Sequence, residues 1–227
     1  MKTKLICCLV AIFSILTVSC TPQTQPAVPE QTKNDMQSLI PEGWHLLERN
    51  EDKPDKAEGD LNKDGINDIA MVIEETGKSP EEAPHRALLL AFGKGNDSYE
   101  LSLLADKAIL KSDEGGVWGD PFEGVSIDRG SVLISFYGGS NWRWYSTYRF
   151  RFQDKDWYLI GATLGAYFTG TQTEDNADEE DYNLITGDYI KRTTDDKGVV
   201  QTTKGNRGKK ELLKLRDFVV NSDEIQF

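Results

Sequence analysis

The sequence predicts an all-β protein, mainly antiparallel, arranged as a curved sheet, a sandwich or a partial barrel with one or two short helices. Three observations predict it. Between Trp142 and Phe152 the even positions give Trp142, Trp144, Ser146, Tyr148, Phe150 and Phe152, and the odd ones Arg143, Tyr145, Thr147, Arg149, Arg151 and Gln153. Period two over that length puts aromatics on one face of a strand and polar groups on the other. Short apolar, β-branched runs recur along the chain, separated by Gly, Asn and Asp turn residues. No long amphipathic stretch competes, and the helical candidates are the surroundings of Glu81-Glu82 and Lys209 to Phe218. The 227 residues are 38% hydrophobic and 10% aromatic, enough for a packed core and too apolar for a disordered tail.

The chain opens with an address. Lys2 and Lys4 form a positive n-region, Leu5 to Val18 an uncharged apolar h-region, and Ser19-Cys20 ends it on a small residue before cysteine. That stretch is shorter than the roughly 20 apolar residues of a membrane span, so it reads as a signal peptide, residues 1–19. The Ser-Cys ending resembles the lipobox of bacterial lipoproteins, which implies cleavage and acylation of Cys20. An ordinary signal peptide or an uncut anchor is the alternative. The other cysteines, Cys7 and Cys8, leave with the signal, so no disulfide is available to the folded domain. Thr21 stands where an aspartate would resemble the inner-membrane retention signal of Gram-negative bacteria. The expected place is therefore the bacterial cell envelope, on the outer membrane if the cell has one.

Residues 20–37, with Pro22, Pro26 and Pro29, lack apolar periodicity and read as a tether of roughly 50 Å reach, at about 3.1 Å per residue. One domain, residues 38–227, follows. Leu39-Ile40-Pro41 and Trp44 to Leu47 suggest an opening strand, and Asn50 to Glu58 a charged loop. Then comes Asp60-Leu61-Asn62-Lys63-Asp64-Gly65-Ile66-Asn67-Asp68, with oxygen side chains at positions one, three, five and nine and glycine at six. Ca²⁺ takes six to eight oxygens, and a short loop encloses it when alternate residues point inward and one residue turns sharply. The expected ligands are the carboxylates of Asp60, Asp64 and Asp68, the Asn62 side-chain carbonyl and the backbone carbonyl of Ile66, whose side chain is expected to enter the core. Position twelve, where an EF-hand carries glutamate, is Met71, and Ile69 to Ile73 reads as a strand, not a helix. The loop and strand, Gly59 to Ile73, resemble the calcium loops of FG-GAP and VCBS type repeats, in which a ninth-position aspartate completes the site. An ordinary Asx-rich turn is the bland alternative. Only one such loop is present. Gly119-Asp120 and Gly187-Asp188 echo its start without continuing it, so a propeller is not expected.

The remaining elements follow from punctuation. Ile69 to Glu74 and Arg86 to Phe92 read as strands, and Gly93 to Asp97 as the turn into Tyr99 to Leu104. Lys107 to Lys111 suggests a short strand, and Gly115 to Pro121 a rigid glycine-rich connection. Val125 to Asp128 and Val132 to Tyr137 join through Arg129-Gly130, which suits a tight hairpin. Asp154 to Asp156 turns the aromatic strand into Trp157 to Leu164, an apolar run fit for the middle of the sheet. Gly170 to Asp181 is an acidic loop, and Tyr182 to Thr194 with Val199 to Lys204 a hairpin. Leu212 to Val219 closes the domain as a strand or short helix.

Twenty-six basic against 38 acidic residues give a net charge of −12, which excludes a nucleic-acid surface. The aromatic face is explained by core packing, with a sugar platform as the alternative; Trp118 and Trp142, each near glycines, are the rings placed to face a ligand. Arg143, Arg149 and Arg151 form either a solvated face or an anion grip. His45 and His85 lack a second imidazole or thiol at metal-ligand spacing, and no nucleophile elbow, phosphate loop or dinucleotide fingerprint appears. Two functions stand. One is a non-enzymatic envelope lipoprotein, membrane-bound through its lipid, whose calcium-stabilised β domain binds a partner protein or glycan. The other is a carboxylate-dependent hydrolase of cell-wall or polysaccharide material.

Overall fold

A computed structural model describes residues 35–49, 55–77, 79, 82–195 and 197–221. The signal segment, Cys20 and the tether as far as residue 34 lie outside the described residues, as does Glu81. The strands are β1 (Trp44–Leu46), β2 (Lys56–Gly59), β3 (Asp68–Glu75), β4 (Arg86–Gly95), β5 (Ser98–Ala105), β6 (Phe122–Asp128), β7 (Ser131–Gly139), β8 (Trp142–Gln153), β9 (Asp156–Phe168), β10 (Asp178–Asn183), β11 (Asp188–Thr194) and β12 (Val200–Asn206). Every pairing between them is antiparallel.

They form two sheets. The five-stranded sheet runs β1-β3-β4-β5, with β2 on the same edge of β3 as β1; the seven-stranded sheet is a meander from β6 to β12 in sequence order, with β9 at its centre. The sheets share one core. Ala70, Val72, Leu88 and Leu90 from the smaller sheet meet Phe122, Val125, Ile134, Phe136, Tyr148, Phe150, Trp157 and Leu159 from the larger. The opposite parity of β3 and β4, Ile69, Met71, Ile73, Leu89 and Ala91, is also buried, under Met36, Leu39, Ile40, Trp44 and Leu46. Burial on both faces is why these two strands read as continuous apolar runs rather than alternating ones.

The 142–153 alternation is a strand of the seven-stranded sheet, with Tyr148 and Phe150 buried and Arg149 and Arg151 half-buried on the other face. The β6–β7 turn at Arg129-Gly130 has both residues at positive φ, 49° and 69°, the twist that matches a two-residue hairpin.

Five local expectations are corrected. The charged loop ends earlier than Glu58, because β2 pairs with the start of β3. The acidic stretch is a loop only to Ala177. Its second half is β10, which extends because Glu179 and Glu180 lie directly opposite Arg192 and Lys191 of β11 and pair with them at 2.6 Å each. Tyr182 consequently belongs to β10. Lys107 to Lys111 is no strand; Ala108, Ile109 and Leu110 are buried as core filling, while Val220 N–H bonds the Lys107 carbonyl. Lys209 to Phe218 contains one 3-10 turn, Leu215–Asp217, and an isolated bridge from Lys214 to Tyr158, since Leu215 and Phe218 are drawn singly into the core.

Candidate metal centre

The Asp60 to Asn67 segment closes the β2–β3 hairpin, whose last pair is Gly59 with Asp68. Two residues provide its turn, Lys63 at φ 67° and Gly65 at φ 84°. The left-handed region is costless for glycine, which accounts for the sixth position. Leu61 is the loop's anchor, 1% exposed and part of the shared core. Ile66, expected in the core, is instead 38% exposed. The reason is the close approach of the loop to β4: a Cβ on Gly93 would fall 2.2 Å from the Asn67 carbonyl oxygen and 2.8 Å from Ile66 Cγ2. Ile66 therefore lies across the strand, and Leu61 takes the inward position.

The loop's oxygens face its own backbone. Asp60 Oδ1 accepts from Lys63 N–H at 2.6 Å and Asp64 N–H at 3.2 Å, and its Oδ2 from Gly65 N–H at 3.1 Å. Asn62 Oδ1 accepts from Asp64 N–H at 2.9 Å, and Asp64 Oδ1 from Ile66 N–H at 2.8 Å. The Asn62 amide also donates to Asp64 Oδ2 at 3.0 Å. Asp68 ties the ends together, its Oδ2 accepting from Leu61 and Asn62 N–H at 2.7 and 3.1 Å and its Oδ1 from Gly93 N–H at 2.9 Å. Asp68 is fully buried. Burial pushes its carboxyl up, the Leu61, Gly93 and Asn62 amides pull it down, the Asp64 charge pushes it up again, and the net direction is upward. No ion pair reaches Asp60, Asp64 or Asp68 among the described residues, since nearby Lys94 is taken by Glu100.

The donor chemistry can be tested against a cation. A carboxylate offers about four acceptor sites. Asp60 and Asp68 each use three on backbone amides, and Asp64 uses one on an amide and one on Asn62. Each retains a site, as does the Asn62 carbonyl. The set is all oxygen and predominantly anionic, which fits a hard cation and not a thiophilic one. Among the described residues no three His, Cys, Asp or Glu side chains already converge as a metal cluster. A cation would use these remaining sites, and on Asp64 the competing side-chain donor is the neutral Asn62 amide.

The loop also touches the larger sheet. A Cβ on Gly59 would sit 2.9 Å from Ile127 Cγ2 of β6, and one on Gly130 would lie 3.5 Å from the Asp60 carbonyl oxygen. Sequence reasoning did not single out Leu61, Gly59 or Gly93 as supports of the loop; a glycine ending the apolar run of β4 was the available signal.

Trp118 and Trp142 are 46% and 65% exposed, at the same end of the larger sheet on either side of Gly139. Trp118 meets Tyr137 edge-on at 4.8 Å and carries the Arg143 guanidinium over its ring at 4.8 Å; Trp142 leans on Phe168 at 5.4 Å. Behind them Tyr137 and Tyr167 share a hydroxyl bond of 2.6 Å, and burial, then that bond, push the Tyr137 phenol up to about 12. Comparison of the chain with family models, curated proteins and solved structures finds no match.

Proposed function

We propose that this chain is a non-enzymatic, lipid-anchored envelope protein whose β domain is braced by one calcium ion and binds a partner protein or glycan. The observation that carries the reading is the loop itself: four side chains in a nine-residue turn direct oxygens inward, and a buried aspartate closes it without a basic partner. Asp60, Asn62, Asp64 and Asp68, with the Ile66 carbonyl, would hold the ion. Bound there, it would supply positive charge to a turn whose closing aspartate, Asp68, is buried beside Asp64 and Asp60 without an ion-pair partner among the described residues. A disulfide-free domain gains most from such a clip, because the clip acts only on the folded state. Cys20 anchors the chain by its acyl groups, and the acidic domain repels nucleic acid. The exposed Trp118 and Trp142 supply a contact surface for the partner. Hydrolysis is the weaker reading, since the cleft on the larger sheet is lined by one acid, Asp181, where glycoside cleavage uses two.

Thermal unfolding of the full-length protein in mild detergent tests the calcium half. Affinity in the range of about 10⁻⁴ to 10⁻³ M is usual for extracellular modules. At roughly ten times Kd, mass action then adds about 1.4 kcal/mol. For a chain of this size that is about 3–5 °C. Calcium at 5 mM should raise the midpoint by that amount over chelator, and Asp64→Ala should abolish the rise. An unchanged wild-type midpoint would remove calcium from the account.

A further inference from the structure

The outer face of the seven-stranded sheet, opposite the shared core, holds a cleft of about 540 Å³ that the calcium loop does not explain. Two rows of side chains cross it in register. Thr147, Thr163 and Asp181 are paired neighbours on β8, β9 and β10, and Leu133, Arg149, Gly161 and Asn183, from β7 to β10, are the next row. Gly161 opens the floor, because a Cβ there would stand 3.8 Å from Arg149 Cβ and 3.3 Å from the Tyr182 carbonyl oxygen. Arg129 and Arg151 complete the cationic end.

The charge of that end is under-compensated. Arg149 and Arg129 share one carboxylate, Asp128, at 2.9 and 3.1 Å. Among the described residues Arg151 is held by the neutral Gln153 amide, at 2.9 and 3.2 Å. Three guanidiniums therefore line a cleft that contains a single acid, in a chain of net charge −12. Their planar forks match a carboxylate bidentately, and Asp128 pre-positions one of them.

The lining also selects the rest of the ligand. Among the lining hydroxyls, Thr147 bonds Ser135 of the adjacent strand at 3.0 Å, and Thr163 donates to Asp181 at 2.9 Å. Asp181 is an acceptor that suits hydroxyl donors and repels a doubly charged phosphate. Hydroxyls, one amide and one carboxylate beside arginines are the complement of a ring that carries both vicinal hydroxyls and an acid group.

We infer that this cleft binds a carboxylate-bearing oligosaccharide, a uronate, with its acid group on Arg149 and Arg151 and its hydroxyls on Thr163, Asp181 and Asn183. The inference rests on the binding-module reading and gives it a ligand class, but it uses none of the calcium-loop side chains. The test is calorimetric titration of the full-length protein in detergent with trigalacturonate, with maltotriose as the neutral sugar and inorganic phosphate as the bare anion. Trigalacturonate should bind at least tenfold more tightly than either, weaken at least tenfold in 0.5 M salt, and weaken at least tenfold in Arg151→Ala, with Arg151→Lys intermediate and Thr163→Val reduced several-fold. Equal binding of maltotriose, equal binding of phosphate, absence of binding, or an unaltered Arg151→Ala each overturns it. Melting separates the two readings. Arg151→Ala should keep the wild-type calcium shift, so loss of uronate binding with that shift intact is a failure of the cleft alone, whereas uronate binding without any calcium shift is a failure of the loop alone.

Discussion

Arg86 is 4% exposed, and its guanidinium is fully engaged: Nε with Glu74 at 2.7 Å, and both terminal nitrogens with Asp120 at 2.8 and 2.9 Å. Asp120 had looked like the echo of a calcium-loop start, but its neighbours make it the clamp between β4 and the glycine-rich connection. Removing Asp120 leaves Glu74 on Nε but takes the carboxylate from both terminal nitrogens of a buried guanidinium, so Asp120→Ala should cost about 3 kcal/mol in urea unfolding. Its pH dependence has a definite sign. Burial pushes the Asp120 carboxyl up, Arg86, the Phe122 N–H and the Arg49 charge together pull it down, and the net direction is downward. A depressed folded-state pKa stabilises above the unfolded value of about 3.9 and is lost as pH falls through the lower folded value. The stability gap between wild type and Asp120→Asn should therefore be full at pH 6 and shrink below about pH 4; a gap that stays constant to pH 2 would contradict the clamp. Residue chemistry of this kind was hidden in the sequence, because Arg86 and Asp120 are joined only by the fold. The loop oxygens were visible, because their spacing is local.

Elements with a strong period were legible, and those held by partners were not. The β8–β9 hairpin followed from alternation and an apolar run, and the Arg129-Gly130 turn from its residue types. β10 was illegible, since Asp178 to Asp181 has poor strand propensity and is extended by the opposite charges of β11. β2 was missed for a similar reason: Lys56 to Gly59 is a strand only because β3 offers an edge. At this scale the loop's support is testable. Gly93→Ala would drive a methyl into the Asn67 carbonyl at 2.2 Å, so it should destabilise the domain by about 1–3 kcal/mol and blunt the calcium-dependent rise in melting temperature. Gly95→Ala lies outside that contact and tests backbone strain alone, at φ 76°. If Gly93→Ala melted like wild type with calcium shift intact, the packing of β4 under the loop would not matter.

At the scale of the folded domain, two antiparallel sheets are stitched by one shared core. Alternation predicted the all-β class. It could not assign strands to sheets, because the second buried face of β3 and β4 depends on Met36 to Leu46 folding over it. Cys20→Ser should release the protein from the detergent-rich phase on phase separation, while leaving the calcium shift and the Asp120 pH profile unchanged; retention in that phase would contradict the lipid anchor. Occupancy of the Asp60 to Asp68 turn by one cation, as proposed above, is open to direct measurement. Calcium titration of chelator-stripped full-length protein by calorimetry should show one site per chain with Kd of about 10⁻⁴ to 10⁻³ M, absent in both Asp60→Ala and Asp64→Ala. A site that survives both substitutions, or no binding heat at 10 mM calcium alongside a normal fold, would contradict it.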